Sequence, residues 1–299
     1  NQKPFNPDLK MNREFEYFIM LLESDALYTP FEYRDEYLEY IRENFNPMAN
    51  FTHVKNDLIP WCADESVSQK LVSKKTSALF NINELGLNNI QLIKGENELR
   101  ENHLYKRFHG FSGMGHLLSP RDNEQIKALL KSGEELIEEP LYERVYDFST
   151  LFLGDEVYRY QNIVDKSFHY KGSILRDFKL EDELENQYQN EIEKIKSHYI
   201  SLGIKTPFSV DSFIYKENKK LKLKTLSEVN ARKSMGYTAL KLSKKFDTKF
   251  SALVLNRNEM DFEGTVKSYK LNPEGKLFNS YLCLFDNEKD LTSLGFRLL

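Results

Sequence analysis

Cysteine is scarce in this chain. Cys62 and Cys283 are the only two among 299 residues, too few for a disulfide framework or a zinc centre, and they point to a reducing, cytoplasmic setting. An excess of positive charge is missing as well. The 42 Lys and Arg stand against 46 Asp and Glu, a net charge of −4, which gives no electrostatic footprint for a nucleic-acid partner. No apolar run approaches the roughly 20 residues needed to span a bilayer, so no membrane partner is expected. No secretory signal pattern opens the chain, although it begins at Asn1 and not at Met, which leaves room for a segment removed before it. Internal repeats and low-complexity linkers are lacking too, which favours subdomains packed against one another.

Several signatures of nucleotide and nucleophile chemistry are absent. A P-loop requires G-x-x-x-x-G-K-S/T, and here Gly115 is followed by His116 and Leu117. There is no G-x-G-x-x-G dinucleotide fingerprint and no kinase H-R-D or D-F-G. No Ser-His-Asp or Cys-His arrangement is supported by spacing, which disfavours nucleophilic side-chain catalysis. His109 and His116 have no Cys or carboxylate at ligand spacing, which argues against zinc.

Two stretches carry chemistry. HLYKRF, residues 103–108, reads as a short strand bearing Lys106 that runs into HGFSGMGH, with Gly110, Gly113 and Gly115. Glycines let backbone amides approach phosphate oxygens and adopt positive φ, while a lysine supplies a point charge. The second stretch, LSEVNARKSMG from Leu226 to Gly236, sets Glu228, Asn230 and Arg232 at alternate positions near the end of an apolar strand pattern. Residues two apart in a strand share a face, so a carboxylate, an amide and a guanidinium project together. Upstream, PFSVDSFIY reads as a partner strand, and KENKK at 216–220 as a hairpin loop that lays Asp211 near Glu228. Two carboxylates and an amide oxygen suit Mg²⁺, a hard cation that often shares its shell with nucleotide phosphates.

A lysine strand with a glycine-rich loop, an acidic hinge strand, then an aspartate strand followed by E-x-N-x-R make up the order in which this sequence resembles the ATP-grasp superfamily, over roughly residues 73–242. The resemblance implies an α+β fold in which two α+β subdomains clasp ATP, preceded by a short N-terminal unit. It implies that Lys106 contacts the α- and β-phosphates and that the loop Gly110 to Gly115, with Ser112, covers them. LIEEPLYERVYDFS at 136–149 is similar to the hinge strand, with the backbone around Glu139 to Leu141 facing adenine. Asp147, or in second place Glu143, matches the acidic residue that holds the ribose hydroxyls. Asp211, Glu228 and Asn230 match the magnesium ligands, and Arg232 the arginine that contacts reacting anions in biotin-carboxylase-like members. Lys74 resembles the family's earlier lysine, with Lys75 an equal candidate and Ser73 standing where many members have Asp.

The division expected from this is an N-terminal unit at 1–75, a small lid subdomain at 76–160 and a large metal-bearing subdomain at 161–299. In the first unit Tyr33, Tyr37, Tyr40 and Ile41 show helical spacing, and Trp61 and Cys62 read as core. SPRDNEQIKALLKSG predicts a helix capped by Ser119, with Pro120 at its first position, Asp122 as acidic partner and Gly133 as its stop. A second helix is predicted over 180–202, with Leu184, Tyr188, Ile192, Ile195 and Tyr199 on one side. Strand-like runs after Asp247 should complete the larger sheet. Arg144, Lys171 and Arg176 are divided between a role toward substrate or triphosphate and a solvated one.

The function these readings imply is a carboxylate–amine ligase that uses ATP and two Mg²⁺ ions, with Mn²⁺ as an acceptable substitute. Its substrates would be small-molecule or peptide acids and amines, with Lys106 and Arg232 as the catalytic side chains and a homodimer as an allowed assembly. A kinase-like phosphotransferase on the same fold is the alternative, and a nucleotide-binding module without chemistry is the third reading.

Overall fold

The structure, a computed structural model, describes residues 10–22, 26–54, 71, 73–109, 115–166, 168–260, 267–272 and 277–293. Helices α1 (Lys10–Leu22) and α2 (Asp35–Asn44) flank a parallel pair of two-residue strands, β1 (Leu27–Tyr28) and β2 (Phe51–Thr52). On α2 the helical spacing buries Tyr37, Leu38 and Ile41, and Tyr17 meets the rings of Tyr33 and Tyr37 edge-on. Trp61 and Cys62 lie outside the described residues.

Helix α3 (Lys74–Asn83) is capped by Ser73, whose side chain accepts the Lys75 N–H at 3.3 Å. Strands β3 (Gln91–Ile93), β4 (His103–Lys106), β5 (His116–Leu118) and β6 (Leu136–Pro140) form an antiparallel sheet in the order β3-β6-β4-β5. Helix α4 (Asn123–Lys131) buries Ile126 and Leu130 against Tyr105, Leu117 and Leu136 of that sheet. The cap predicted at Ser119 does not form. The Ser119 N–H extends the sheet by bonding to the His103 carbonyl at 3.1 Å, the Ser119–Pro120 bond is cis, and α4 starts only after Asp122. The Asp122 carboxylate instead accepts the Leu118 N–H at 2.8 Å. Gly133, with φ +83°, ends the helix as predicted.

The stretch 136–149 is not one strand. Pairing with β4 runs through Pro140 to Leu141, whose N–H donates to the Asn102 carbonyl at 3.1 Å, and β7 (Glu143–Leu153) then begins in a different sheet. This second sheet is antiparallel throughout, in the order β11-β10-β7-β8-β9-β12-β14-β13. Its further strands are β8 (Glu156–Val164), β9 (Tyr170–Leu175), β10 (Phe208–Glu217), β11 (Lys220–Asn230), β12 (Phe250–Asn256), β13 (Lys267–Lys270) and β14 (Asn279–Phe285). The seam between the sheets therefore falls at Leu141–Tyr142, and β7 and most of β8, inside the stretch 76–160, are strands of the larger sheet.

The β10–β11 hairpin closes more tightly than expected. Asn218 and Lys219, at φ +51° and +66°, make a two-residue turn whose twist matches the strands, and Lys216, Glu217 and Lys220 pair within the ladder. Helix α5 (Asp182–Ser201) lays Leu184, Tyr188, Ile192, Ile195 and Tyr199 on Phe148, Phe152, Phe208 and Val210. Strand alternation turns Ser149, Leu151, Ser209 and Asp211 to the opposite face. There α6 (Met235–Lys245) packs Tyr237, Leu240 and Leu242 with Leu151, Tyr160 and the aromatic residues of α1 and α2. A short helix, α7 (Glu288–Ser293), follows β14. Among the described residues no helix is long and apolar enough to cross a membrane.

Candidate active site

Asp211 of β10 and Glu228 of β11 are direct register partners, as the hairpin reading requires. Asp211 Oδ2 accepts from Asn230 Nδ2 at 3.0 Å, and Asn230 Oδ1 accepts from Arg232 Nη2 at 3.2 Å. Arg232 lies just beyond the end of β11, yet its side chain stays on the acidic pair's side through that contact. The ladder slips between Asp211 and Phe213, where Ser212 Oγ donates to the Thr225 carbonyl at 2.6 Å. Burial, and then the neighbouring charge of Glu228, pushes the Asp211 carboxyl up to about 6.

One lysine reaches this pair from helix α3, and two more meet at Glu139 nearby. The buried Lys74 Nζ lies 3.2 Å from Glu228 Oε2, whereas Lys75 turns away to Glu135 Oε2 at 2.5 Å, beside the Phe108 ring. Geometry thus separates the two candidates and places Lys74 in the cleft. Lys106 is paired with Glu139, and Glu139 also receives Lys224 of β11, all three side chains being buried. Burial lowers Lys106 to about 8, with the charges of Lys224 and Lys74 acting in the same sense and Glu139 opposing. Burial by itself would raise Glu139, but the two ammonium groups hold its carboxyl well below the usual range.

His116, the register partner of Lys106, is pushed down to about 2 by burial and by the charges of Lys106 and Lys74. It is therefore neutral. Its Nε2 lies 3.5 Å from Lys74 Nζ, and its buried Nδ1 has no hydrogen-bond partner among the described residues. Lys74, Lys106, Glu139, Asn81 and Ser227 line the narrow cleft between the sheets.

The remaining predicted residues distribute around that cleft. Asp147 is buried beside it and paired with Arg144, whose guanidinium lies 4.1 Å from the Phe213 ring centroid. Burial raises the Asp147 carboxyl against the lowering effect of Arg144. Glu143 is exposed at the start of β7, 3.8 Å from Lys216, and is not brought to the site. Glu139 lies near the end of β6 and Leu141 in the seam, and the Leu141 N–H expected to face adenine is bonded to Asn102 in this structure. Gly115 enters β5 at φ +85°, a conformation that favours glycine, while Gly110, Ser112 and Gly113 lie outside the described residues. Lys171 pairs with Asp165 at 3.4 Å and Arg176 with Glu288 at 2.7 Å, so neither joins the cluster. Sequence reasoning missed Lys224 and the Glu139 side chain. The available signal was parity, since Lys224 sits an even number of residues before Glu228, but K-L-K-L-K also describes a solvated strand face.

The donor set fits a magnesium ion bound together with phosphates. Among the described residues no group of three or more His, Cys, Asp or Glu could hold a metal by itself, and the oxygen donors at hand are the Asp211 and Glu228 carboxylates with the Asn230 amide oxygen, which accepts from Arg232. Mg²⁺ is commonly held by one or two carboxylates with substrate phosphates completing its shell, and Asp211 and Glu228 stand as direct register partners.

No protein-family model matches the sequence, and no curated protein matches it. Solved structures do. N5-carboxyaminoimidazole synthetase from Staphylococcus aureus, complexed with ADP, aligns at a TM-score of 0.52 and 12% identity over 75% of this chain and 70% of that chain. An ADP complex of N5-carboxyaminoimidazole ribonucleotide synthetase aligns at 0.54 and 16% identity over 97% of this chain and 83% of that one. The biotin carboxylase domain dimer of Hydrogenobacter thermophilus 2-oxoglutarate carboxylase, in complex with MgADP, ADP and bicarbonate, aligns at 0.50 and 12% identity over 95% and 75%. At these identities the likeness is one of fold.

Proposed function

We propose that this chain, which has the ATP-grasp fold, is an ADP-forming ligase that activates a substrate carboxylate as an acyl phosphate and couples it to an amine. The observation that carries this reading is the register pairing of Asp211 with Glu228, faced by Lys74 and with Lys106 in the adjoining cleft. Structural neighbours complexed with ADP or MgADP support a nucleotide in that cleft.

A carboxylate attacking a γ-phosphoryl group is an encounter between anions, and the residues here are suited to offset it. Lys106 and Lys74 would leave Glu139 and Glu228 for phosphate oxygens, with Lys224 remaining to satisfy Glu139. Asp211, Glu228 and Asn230 would hold Mg²⁺, or Mn²⁺ in its place, which supplies positive charge where negative charge develops on the phosphates. Arg232 presents a planar fork suited to a carboxylate or phosphate. Asp147, released from Arg144, would accept the ribose hydroxyls, and the loop 110–115 would exclude water that hydrolyses the acyl phosphate.

The test is ADP release from ATP and Mg²⁺ across a library of small-molecule and peptide acids, each with and without an amine. Release that requires both acid and amine is expected. Release with a hydroxyl acceptor and no amine would instead assign a phosphotransferase.

A further inference from the structure

Beneath the acidic pair runs a row of polar side chains that the proposed chemistry does not use. It lies on the face of the larger sheet opposite α5, and it ends on Asp211. Ser149 Oγ donates to Asp211 Oδ1 at 2.6 Å, Asn162 Nδ2 donates to Ser149 Oγ at 2.6 Å, and Ser173 Oγ donates to Asn162 Oδ1 at 3.4 Å. The Tyr170 hydroxyl lies 2.8 Å from Ser173 Oγ. Register places these contacts on adjacent strands: Asp211 opposite Ser149, and Asn162 opposite Ser173.

We infer that Asn162 and Ser149 are positioning residues for the metal-binding carboxylate of Asp211, the last links of a one-way hydrogen-bond relay that crosses four strands. This rests on the MgATP reading of the site. The direction follows from the inventory of protons. An ionised carboxylate only accepts, and Asp211 Oδ2 is already supplied by Asn230 Nδ2 at 3.0 Å, so Oδ1 needs a donor of its own. Ser149 has one hydroxyl proton. Because Asn162 donates onto a lone pair of Ser149, that proton is left to point at Asp211.

The Asn162 amide is kept this way round by Ser173, which donates to its oxygen. With the Ser173 proton so committed, the Tyr170 hydroxyl, 2.8 Å away, can donate to Ser173 Oγ. Ser149 and Ser173 are buried, at 1% and 0% exposure, so water does not readily replace either. Groups bonded behind a metal ligand fix its orientation, and their loss typically weakens metal affinity by about 10- to 100-fold. Neither Asn162 nor Ser149 is expected to touch the nucleotide.

The experiment is calorimetric titration of a nonhydrolysable ATP analogue at a series of Mg²⁺ concentrations, on wild type, Ser149→Ala, Ser149→Thr and Asn162→Asp. Asp at position 162 is nearly isosteric but offers only acceptors, so the Ser149 proton is drawn away from Asp211. Ser149→Ala and Asn162→Asp should raise the Mg²⁺ concentration for half-maximal binding about 10-fold, with affinity at saturating Mg²⁺ within about twofold of wild type. Ser149→Thr keeps the hydroxyl and should keep the wild-type midpoint. The relay is overturned if Ser149→Ala and Asn162→Asp keep that midpoint, or if Ser149→Thr shifts it as far as Ser149→Ala does. Wild type that shows no Mg²⁺-dependent binding overturns the MgATP reading and the relay together, and the same titration identifies that case.

Discussion

Lys224 donates to Glu139 across the seam between the two sheets, and the same carboxylate holds Lys106. One acid is thus buried between two cations, of which one belongs to each sheet, and on the proposed function Lys106 would have to leave it to reach phosphate. Removing one partner of a buried ion pair typically destabilises by about 3–5 kcal/mol, because the remaining charge is left uncompensated. In Lys224→Met, Glu139 keeps Lys106, so the lower end of that range, about 3 kcal/mol, is expected in urea unfolding. Nucleotide affinity should fall in the same variant, since Lys106 is then the only cation Glu139 has.

The acidic pair and the lysine give a pH dependence of defined sign. The folded-state value of Asp211, about 6, lies above its ordinary 3.8, so its contribution to stability falls as pH rises through that window. The folded-state value of Lys106, about 8, lies below its ordinary 10.5, so its contribution rises with pH between them. On the proposed function, Mg²⁺-dependent nucleotide binding needs Asp211 ionised and Lys106 charged. It should therefore be strongest between about 6 and about 8 and weaken on both sides. Binding in calorimetry that does not weaken below about 6 or above about 8 would contradict this assignment.

Much of this arrangement was legible in the sequence, for reasons of period. Asp211 and Glu228 met because both lie on strands whose apolar positions alternate, and α5 formed where apolar residues recur at helical spacing. The hinge read as one strand was two, because the chain passes from one sheet to the other after Leu141 while the residues beyond it remain good strand formers. The cap at Ser119 was lost to a long-range bond with His103, which no local pattern announces. Lys224 and the contacts of Ser149 and Asn162 were illegible for the same reason. Their partners come from other segments, and only the sheet order brings them together.

Two substitutions separate metal binding from chemistry. Glu228→Gln removes a full charge from the acidic pair and should lower turnover by roughly 10²-fold or more, the scale of losing one electrostatic partner of the transition state. Arg232→Lys keeps the charge and loses the planar fork. It should leave nucleotide affinity nearly intact while turnover falls sharply, as read by steady-state ADP release beside calorimetry. Loss of nucleotide binding in proportion to turnover would show that Arg232 serves the nucleotide.

Gly236 provides a test of packing behind the site. A Cβ there would lie 1.9 Å from Cζ of Tyr160, a ring that is 2% exposed. Gly236→Ala should destabilise the fold by about 3 kcal/mol in urea unfolding, the upper part of the usual range for overpacking. A change below about 0.5 kcal/mol, typical of surface substitutions, would show that the ring moves freely.

The most direct measurement is calorimetry of wild type with a nonhydrolysable ATP analogue, in the presence and absence of Mg²⁺. Binding that is markedly strengthened by Mg²⁺, and whose strengthening is lost in Glu228→Gln, is the expected result. Absence of Mg²⁺-dependent binding at millimolar ligand would contradict a nucleotide site between Lys106 and the Asp211–Glu228 pair.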